Sequence, residues 1–411
     1  MFRWGHSPSL LPGMNIYMDG STLQEFLTQT TRRLSAHSET PLLDAQVLAA
    51  HILQQSRSWV MAYPEFEISV LQLKQLNMAL ERYEQGEPLP YIIGHWEFFG
   101  LDLQISPDVL IPRPETELLV ERALQWLSLH PHARQAVDIG TGSGCIAVSL
   151  AFHLPDLQLL LTDISPAALE VARENAARYN LMNRLEFQQA DLLDGVTGSF
   201  DLVCANLPYI PRGRLGNLRV AQGEPVLALD GGHNGLELMT RLLEEAGKHL
   251  AADSLLLLEI EESQGSSART LAHDFFPASR VELLQDLSGR DRLLEIETYS
   301  KILHICQSEA WQTAQAMGFY ASESLSVEGF IHCSTPEQIL QVANRFYREI
   351  PELRLLWINP QSLGSEIRWE YVDGASFPHI YGPVNLSAVM AVTKLAADRD
   401  GIYRNIQPPL K

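Results

Sequence analysis

The feature that most constrains the fold of this chain is the run Ala-Val-Asp-Ile-Gly-Thr-Gly-Ser-Gly at residues 136–144. A short apolar stretch that suits a buried strand leads into three alternating glycines. Residues 145–154 then read as a helix. Strand, glycine turn and helix make the opening unit of an open α/β sheet, which binds ligands at the carboxyl ends of its strands. Gly140, Gly142 and Gly144 let backbone approach a bound molecule, and the helix N-terminus offers free N–H groups. The turn carries no lysine, so it is not a triphosphate loop.

Two more strand ends sharpen the reading. Residues 158–162 are apolar and end at Asp163, about 20 residues past the first glycine, where a carboxylate can accept hydrogen bonds from ribose hydroxyls. The alternative role for Asp163 is helix capping together with Ser165, ahead of Pro166. Residues 200–209, Phe-Asp-Leu-Val-Cys-Ala-Asn-Leu-Pro-Tyr, form another apolar strand closed by a polar residue and a stiff turn. Asp191 ends a third strand and can reach an adenine amino group or act as a turn residue. The Gly-x-Gly-x-Gly spacing is tighter than a dinucleotide fingerprint and resembles S-adenosylmethionine-dependent methyltransferases.

That resemblance gives the Asn206-Leu207-Pro208-Tyr209 turn a chemistry. Methyl transfer from a sulfonium is an in-line displacement, so the nucleophile's lone pair must be held near the methyl carbon. An amide or exocyclic amine is a poor nucleophile because its lone pair is delocalised. The side-chain carbonyl of Asn206 and the backbone carbonyl of Leu207 can accept its two N–H bonds and favour the pyramidal form. Tyr209 can stack on a planar group. A turn in which Asn206 bonds its own backbone is the bland alternative.

The chain's 411 residues suit two or three domains at roughly 100–200 residues each. A net charge of -20 argues against broad binding to a phosphate backbone, which relies on Lys and Arg, and favours a small-molecule ligand or a basic protein partner. Cys145, Cys204, Cys306 and Cys333 form no CxxC pair and suit buried thiols of a reducing compartment. No apolar run reaches the roughly 18 residues of a membrane span, and no signal segment opens the chain. A cytoplasmic protein is the expectation, with no membrane association and no stable nucleic-acid binding.

In chain order, residues 1–19 read as a disordered extension, with Met14 or Met18 as alternative starts. Residues 20–88 carry helical periodicity, with Ser21 and Ser69 as expected caps and His51 as packed core. They form a small helical domain suited to partner recognition. Residues 89–112 read as a β-hairpin linker, with strands at 91–99 and 101–105 around Gly100. Residues 113–299 alternate strands and helices, which gives a mostly parallel sheet with an antiparallel pair at its edge across Gly289. Residues 300–411 read as a separate α+β domain, with helices at 309–318 and 336–347.

Residues 20–299 closely resemble the peptide chain release factor glutamine N5-methyltransferases (the PrmC/HemK family). The resemblance rests on Pro90-Tyr91-Ile92-Ile93-Gly94 and on Ile111-Pro112-Arg113-Pro114-Glu115-Thr116-Glu117, the most family-specific run. It also rests on the glycine turn, the Asn206 turn, Ala228-Leu229-Asp230-Gly231-Gly232, Leu257-Leu258-Glu259-Ile260 with Gln264, and residues 286–292. It implies a Rossmann-like seven-stranded α/β methyltransferase fold. It implies S-adenosyl-L-methionine held by Asp138, Gly140, Thr141, Gly142, Ser143, Gly144, Asp163, Ile164, Asp191, Leu192 and Asn206. It further implies that Asn206, Leu207, Pro208 and Tyr209, with Arg113 and Glu115 nearby, hold the Gly-Gly-Gln glutamine of a class 1 release factor during translation termination. The family usually has Asn-Pro-Pro-Tyr. Leu207 here keeps the carbonyl, loses a proline's constraint and adds an N–H. Methylation of adenine N6 in nucleic acid uses a similar tetrapeptide and is the alternative activity.

The C-terminal part resembles an uncharacterised small-domain family (DUF952-like) through Gly329-Phe330-Ile331-His332-Cys333-Ser334, Arg368-Trp369-Glu370 and residues 377–383. His304, His332, Glu370, His379 and Tyr381 are candidates for one nucleotide-binding pocket, with a distant likeness to ADP-ribosyltransferase-type folds. That would make the protein bifunctional. The spacing of these residues fits no standard metal site, and no metal is expected.

Overall fold

A computed structural model of the protein describes residues 21–409 except Arg219 and Glu349, and it separates into two units, Met1–His95 and Trp96–Lys411. The expected extension at residues 1–19 lies outside the described residues.

The first unit is helical: α1 (Leu23–Leu34), α2 (Pro41–Leu53), α3 (Arg57–Ala62), α4 (Val70–Glu84) and α5 (Leu89–Ile93). Thr22, not the expected Ser21, caps α1, because it stands three residues before Glu25 and the two exchange side-chain-to-backbone hydrogen bonds. Ser69 caps α4 in the same way with Gln72. Leu23, Phe26, Ala49, Val60 and Leu76 meet in its core. His51 is half-buried, with its ring 5.9 Å from that of His95. The expected strand at 91–99 is instead α5 followed by a short strand. A brief apolar run such as Tyr91-Ile92-Ile93 cannot separate helix from strand by period, and Pro90 suits a first helical turn.

A hairpin of β1 (His95–Phe98) and β2 (Leu101–Gln104) leads to α6 (Glu117–Leu129). Asn175 and Tyr179 bind β2 through the backbone of Gln104 and Asp102. The sheet that follows contains β3 (Gln135–Ile139), β4 (Gln158–Asp163), β5 (Leu185–Gln189), β6 (Phe200–Ala205), β7 (Leu250–Glu259), β8 (Arg280–Gln285) and β9 (Asp291–Thr298). Between them run α7 (Cys145–His153), α8 (Pro166–Arg178), the short α9 (Arg212–Leu215) and α10 (Val220–Gly223), α11 (Glu237–Ala246) and α12 (Gly265–Phe275). The strand order is β5-β4-β3-β6-β7-β9-β8. The first five run parallel to one another, while β9 is antiparallel to both β7 and β8. The order reverses between β3 and β6, and their carboxyl ends mark the crevice where such sheets bind ligands.

Side-chain alternation divides the sheet's two faces. Val137, Val203, Leu256, Leu258 and Leu294 pack against Leu242, Leu243, Ala268 and Ala272 of α11 and α12. The opposite face carries buried carboxylates toward α6. Arg122 pairs with Glu295, and Trp126 Nε1 donates to Glu297 at 2.6 Å.

The C-terminal domain holds β10 (Ile302–Gln307), α13 (Ser308–Met317), β11 (Phe319–Tyr320), α14 (Glu323–Val327), β12 (Ile331–His332) and α15 (Ile339–Phe346). It continues with β13 (Leu353–Ile358), β14 (Glu366–Val372), β15 (Ala375–Tyr381), β16 (Val384–Asn385) and β17 (Val389–Lys394). Two three-stranded antiparallel sheets, β10-β13-β17 and β12-β15-β14, form its frame. It packs directly on the preceding domain. Trp369 stacks on Tyr299 at 4.8 Å and donates its Nε1–H to Ala278 O at 3.2 Å.

Candidate active site

The glycine turn does what its spacing demands. Gly140, Gly142 and Gly144 have φ of 68°, 56° and 77°, the left-handed region where a side chain is strained. Asp163 at the end of β4 closes on this turn. One of its carboxylate oxygens accepts from Gly142 N–H at 2.9 Å and the other from Ser165 N–H at 2.9 Å. Ser165, not Asp163, caps α8. Burial pushes the Asp163 carboxyl above the usual carboxylate range. Asp138 lies fully buried beneath the turn. It accepts from the Thr141 hydroxyl at 2.6 Å, and its other oxygen has no hydrogen-bond partner. Burial raises it to about 7.

A cleft of about 650 Å³ opens over this turn, lined among others by Thr141, Ser143, Asp163, Ile164, Leu192 and Asn206. Asp191 also lines it but is engaged by Arg241 at 2.9 Å. A smaller cleft of about 160 Å³ is lined by Arg113, Pro208, Tyr209 and Ile210. Asn206, Leu207 and Pro208 line both, so the two spaces meet at that turn. Glu115 is exposed and lines neither.

The turn is clamped from behind. Gln264 Nε2 donates to Tyr209 O and to Gly235 O, each at 3.1 Å. Gly231 lies so close that a Cβ there would stand 2.8 Å from Pro208 O. The Leu207 side chain is buried against Gly140, where an added Cβ would come within 3.1 Å of it. Asn206 does not bond its own backbone; its Nδ2 donates to Thr116 Oγ1 at 3.1 Å. Thr116 in turn donates to Glu259 Oε2 at 2.6 Å. The Ile-Pro-Arg-Pro stretch is fastened by Glu224, which accepts from Ile111 N–H at 3.1 Å and pairs with the Arg113 guanidinium. Burial lifts the Tyr209 phenol to about 12, so it stays uncharged. Reading the sequence missed the roles of Thr116, Asn175, Glu224, Glu259 and Gln264. Thr116, Glu259 and Gln264 stand in the runs that carry the family resemblance, but nothing in those runs says which partner each side chain meets.

Comparison with known proteins follows the same division of the chain. Residues 25–94 match the family model described as PrmC N-terminal domain, and residues 115–222 match Methyltransferase small domain. A release factor glutamine methyltransferase of Moorella thermoacetica is 41% identical over 274 residues, covering 66% of this chain and 96% of that protein. The chain belongs to the release factor glutamine methyltransferase family. Another member, from Nitratidesulfovibrio vulgaris, is 38% identical over 283 residues, covering 67% of this chain and 94% of its own.

This methyltransferase carries an addition. Residues 305–392 match a protein family of unknown function, DUF952. The solved structure of protein CC0527 from Caulobacter crescentus is 34% identical, with a TM-score of 0.24, and covers 25% of this chain and 93% of that one. In this addition Glu370 accepts from His379 Nδ1 at 2.5 Å and from the Tyr381 hydroxyl at 2.7 Å. His332 meets His379 edge-on at 5.1 Å, and Phe330 stacks on His379 at 4.3 Å. His304 stands apart, buried between His332 O and the Tyr320 hydroxyl. Among the described residues, no group of three or more His, Cys, Asp or Glu side chains is placed to hold a metal ion. No helix among them is long and apolar enough to cross a membrane.

Proposed function

We propose that this protein methylates the side-chain amide nitrogen, N5, of the glutamine in the Gly-Gly-Gln motif of class 1 release factors, with S-adenosyl-L-methionine as donor. The observation that carries this reading is the position of Asn206 where the larger and smaller clefts meet. The residues fit the donor. Asp163 has lone pairs left for ribose hydroxyls, Ile164 and Leu192 offer apolar walls for adenine, and a side chain on Gly142 would meet nothing within 4 Å, so the turn faces open space. Asp191, partnered by Arg241, stands at the same cleft. The Asp163 carboxylate, which lines the cleft, suits a cationic ligand.

When bound, S-adenosylmethionine supplies an electrophilic methyl group on a sulfonium. The chain's own residues prepare the nucleophile. Asn206 Oδ1 and the Leu207 carbonyl accept the two N–H bonds of the substrate amide. The neighbouring carbonyls are unsuited, since Tyr209 O is taken by Gln264 and Pro208 O abuts Gly231. Holding both N–H bonds turns the nitrogen lone pair across the junction and favours the pyramidal form that bonding to carbon requires. Tyr209 covers the planar face of the amide. No base is needed before attack, because the proton leaves to water once the N–C bond has formed.

In this reading residues 20–88 recognise the substrate, 89–112 form the hairpin linker, 113–299 perform the transfer, and 300–411 are a domain added to it. The family's relatives favour a protein glutamine over a nucleic-acid adenine, and translation termination places the work in the cytoplasm. The test is to incubate the protein with S-adenosylmethionine and unmodified release factor and map the added mass by peptide mass spectrometry. A methyl group on the Gly-Gly-Gln glutamine, absent with Asn206→Ala, is expected. Transfer to an adenine-containing nucleic acid and none to release factor would overturn the reading.

A further inference from the structure

We infer that Thr116 and Glu259 are positioning residues for the transfer, acting as a two-step relay that fixes which end of the Asn206 amide faces the substrate. The inference deepens the glutamine-methylation reading and rests on it. An asparagine side chain is nearly symmetric in shape but not in chemistry: one end accepts, the other only donates. Turned over, Asn206 would present its NH₂ to the NH₂ of the substrate amide, donor against donor, and no productive complex would form. Steric packing cannot choose between these two orientations. Hydrogen bonding can.

The choice is made at Thr116, with the Glu259 carboxylate, which also accepts from the Asn206 amide, favouring the same orientation. Thr116 is 1% exposed, and its hydroxyl gives its single hydrogen to Glu259 Oε2 at 2.6 Å. Only lone pairs remain for its other neighbour, so Asn206 must approach it with Nδ2, as it does at 3.1 Å. The Asn206 carbonyl is thereby left for the substrate. Fold geometry brings the three together. Ala205 and Leu258 are paired across β6 and β7, so Asn206 and Glu259 come off adjacent strands at the same level. Glu259 has the strand parity of Leu255 and Leu257, opposite to Leu256 and Leu258, which pack toward α11 and α12. It therefore points to the face where Thr116 ends the turn before α6. A carboxylate 6% exposed is costly to keep, and the transfer itself gives it no other task.

The relay needs Glu259 as an acceptor. Burial pushes its carboxyl up to about 7, opposed by the Thr116 and Asn206 hydrogen bonds and by Arg292, and reinforced by Glu115. The Tyr209 phenol and the Cys145 thiol also face it, and both stay protonated because burial raises them to about 12. Below about pH 7 the acid form of Glu259 donates a hydrogen bond to the Thr116 oxygen, whose own hydrogen then turns to Asn206 and favours the flipped amide.

The experiment is steady-state kinetics on the full chain with release factor and S-adenosylmethionine, alongside calorimetric donor binding and thermal unfolding. Thr116→Val is expected to lower kcat at least tenfold, with release-factor KM and donor Kd each within about twofold. Thr116→Ser restores the hydroxyl and is expected to stay within about threefold of the parent. Combined with Asn206→Ala, Thr116→Val adds no further loss, since an absent side chain needs no orienting. Glu259→Gln removes the titrating carboxyl, so the fall in kcat below pH 7 disappears. Full kcat in Thr116→Val, or losses that multiply in the double variant, would overturn the relay. An unfolded Thr116→Val leaves the pH profile of Glu259→Gln as the deciding result: retention of the acid limb overturns the relay too. A parent enzyme that transfers no methyl to release factor would instead break the functional reading on which it rests.

Discussion

Asn206 and His379 are both polar side chains held in one orientation by a carboxylate, and they differ in what is left over. Asn206 is held through Thr116 by Glu259, which leaves its carbonyl oxygen beside two clefts. His379 is held directly by Glu370, whose second oxygen is already taken by Tyr381, and the imidazole face is covered by Phe330. His379 is 4% exposed, and the two clefts described above are lined only by residues between Pro107 and Arg241. Orientation is common to both regions; an acceptor beside the clefts around the glycine turn belongs to the first. A polar group that is only orienting its neighbours stabilises a fold, and one with capacity to spare can act on a ligand.

The sharpest break of this contrast is a pair of substitutions. Asn206→Ala is expected to lower methyl transfer by about 10²–10³-fold, the usual loss for a transition-state hydrogen-bonding group, while His379→Ala leaves it unchanged. Radiolabelled methyl transfer to release factor reads both, and equal losses would erase the contrast. Next in size, Asp163→Ala should weaken donor binding in calorimetry by about 10–100-fold, because charge-assisted bonds to ribose are lost. Trp369→Ala removes the stack on Tyr299 and the bond to Ala278, and should cost on the order of 2 kcal/mol in chemical unfolding with transfer unaffected. A drop in transfer would mean that the added domain serves the first site.

The smallest effect is one of sign. Asp138 is held near 7, well above an unfolded value of about 4, so it favours the fold below about pH 4 and loses that contribution as pH climbs through 7. Glu370 is the reverse. Hydrogen bonds from Tyr381 and His379 lower it, so its contribution is present above the ordinary glutamate range and lost as pH falls below it. Thermal unfolding across pH should show Asp138→Asn flattening the neutral slope and Glu370→Gln flattening the acid one. Identical profiles for the two variants would show that the two carboxyls do not differ as described.

Much of the first region was legible in the chain. The glycine triplet, Asp163 at a strand end and the Asn206 turn are local signals, and each strand of the large sheet falls within a few residues of its apolar run. The C-terminal domain was less open to reading. β15 has no continuous apolar run to mark it, because Pro378 and His379 interrupt it, yet that strand pairs with both β12 and β14 and carries His379 and Tyr381. Of the five residues expected to converge there, His304 does not join, since it lies on β10, a strand of the other sheet.

What the sequence by itself determined is whatever one stretch of backbone demands: positive φ at alternating glycines, alternation of apolar residues along strands, and a stiff Asn-Leu-Pro-Tyr corner. Tertiary structure decided the rest. It inserted β9 between β7 and β8, faced Gly231 and Gly235 against the Asn206 turn, and let Thr116 meet a carboxylate 143 positions later. A dihedral preference is paid residue by residue and can be read in order. A hydrogen bond between distant residues depends on strand register and parity, which exist only once the sheet has formed.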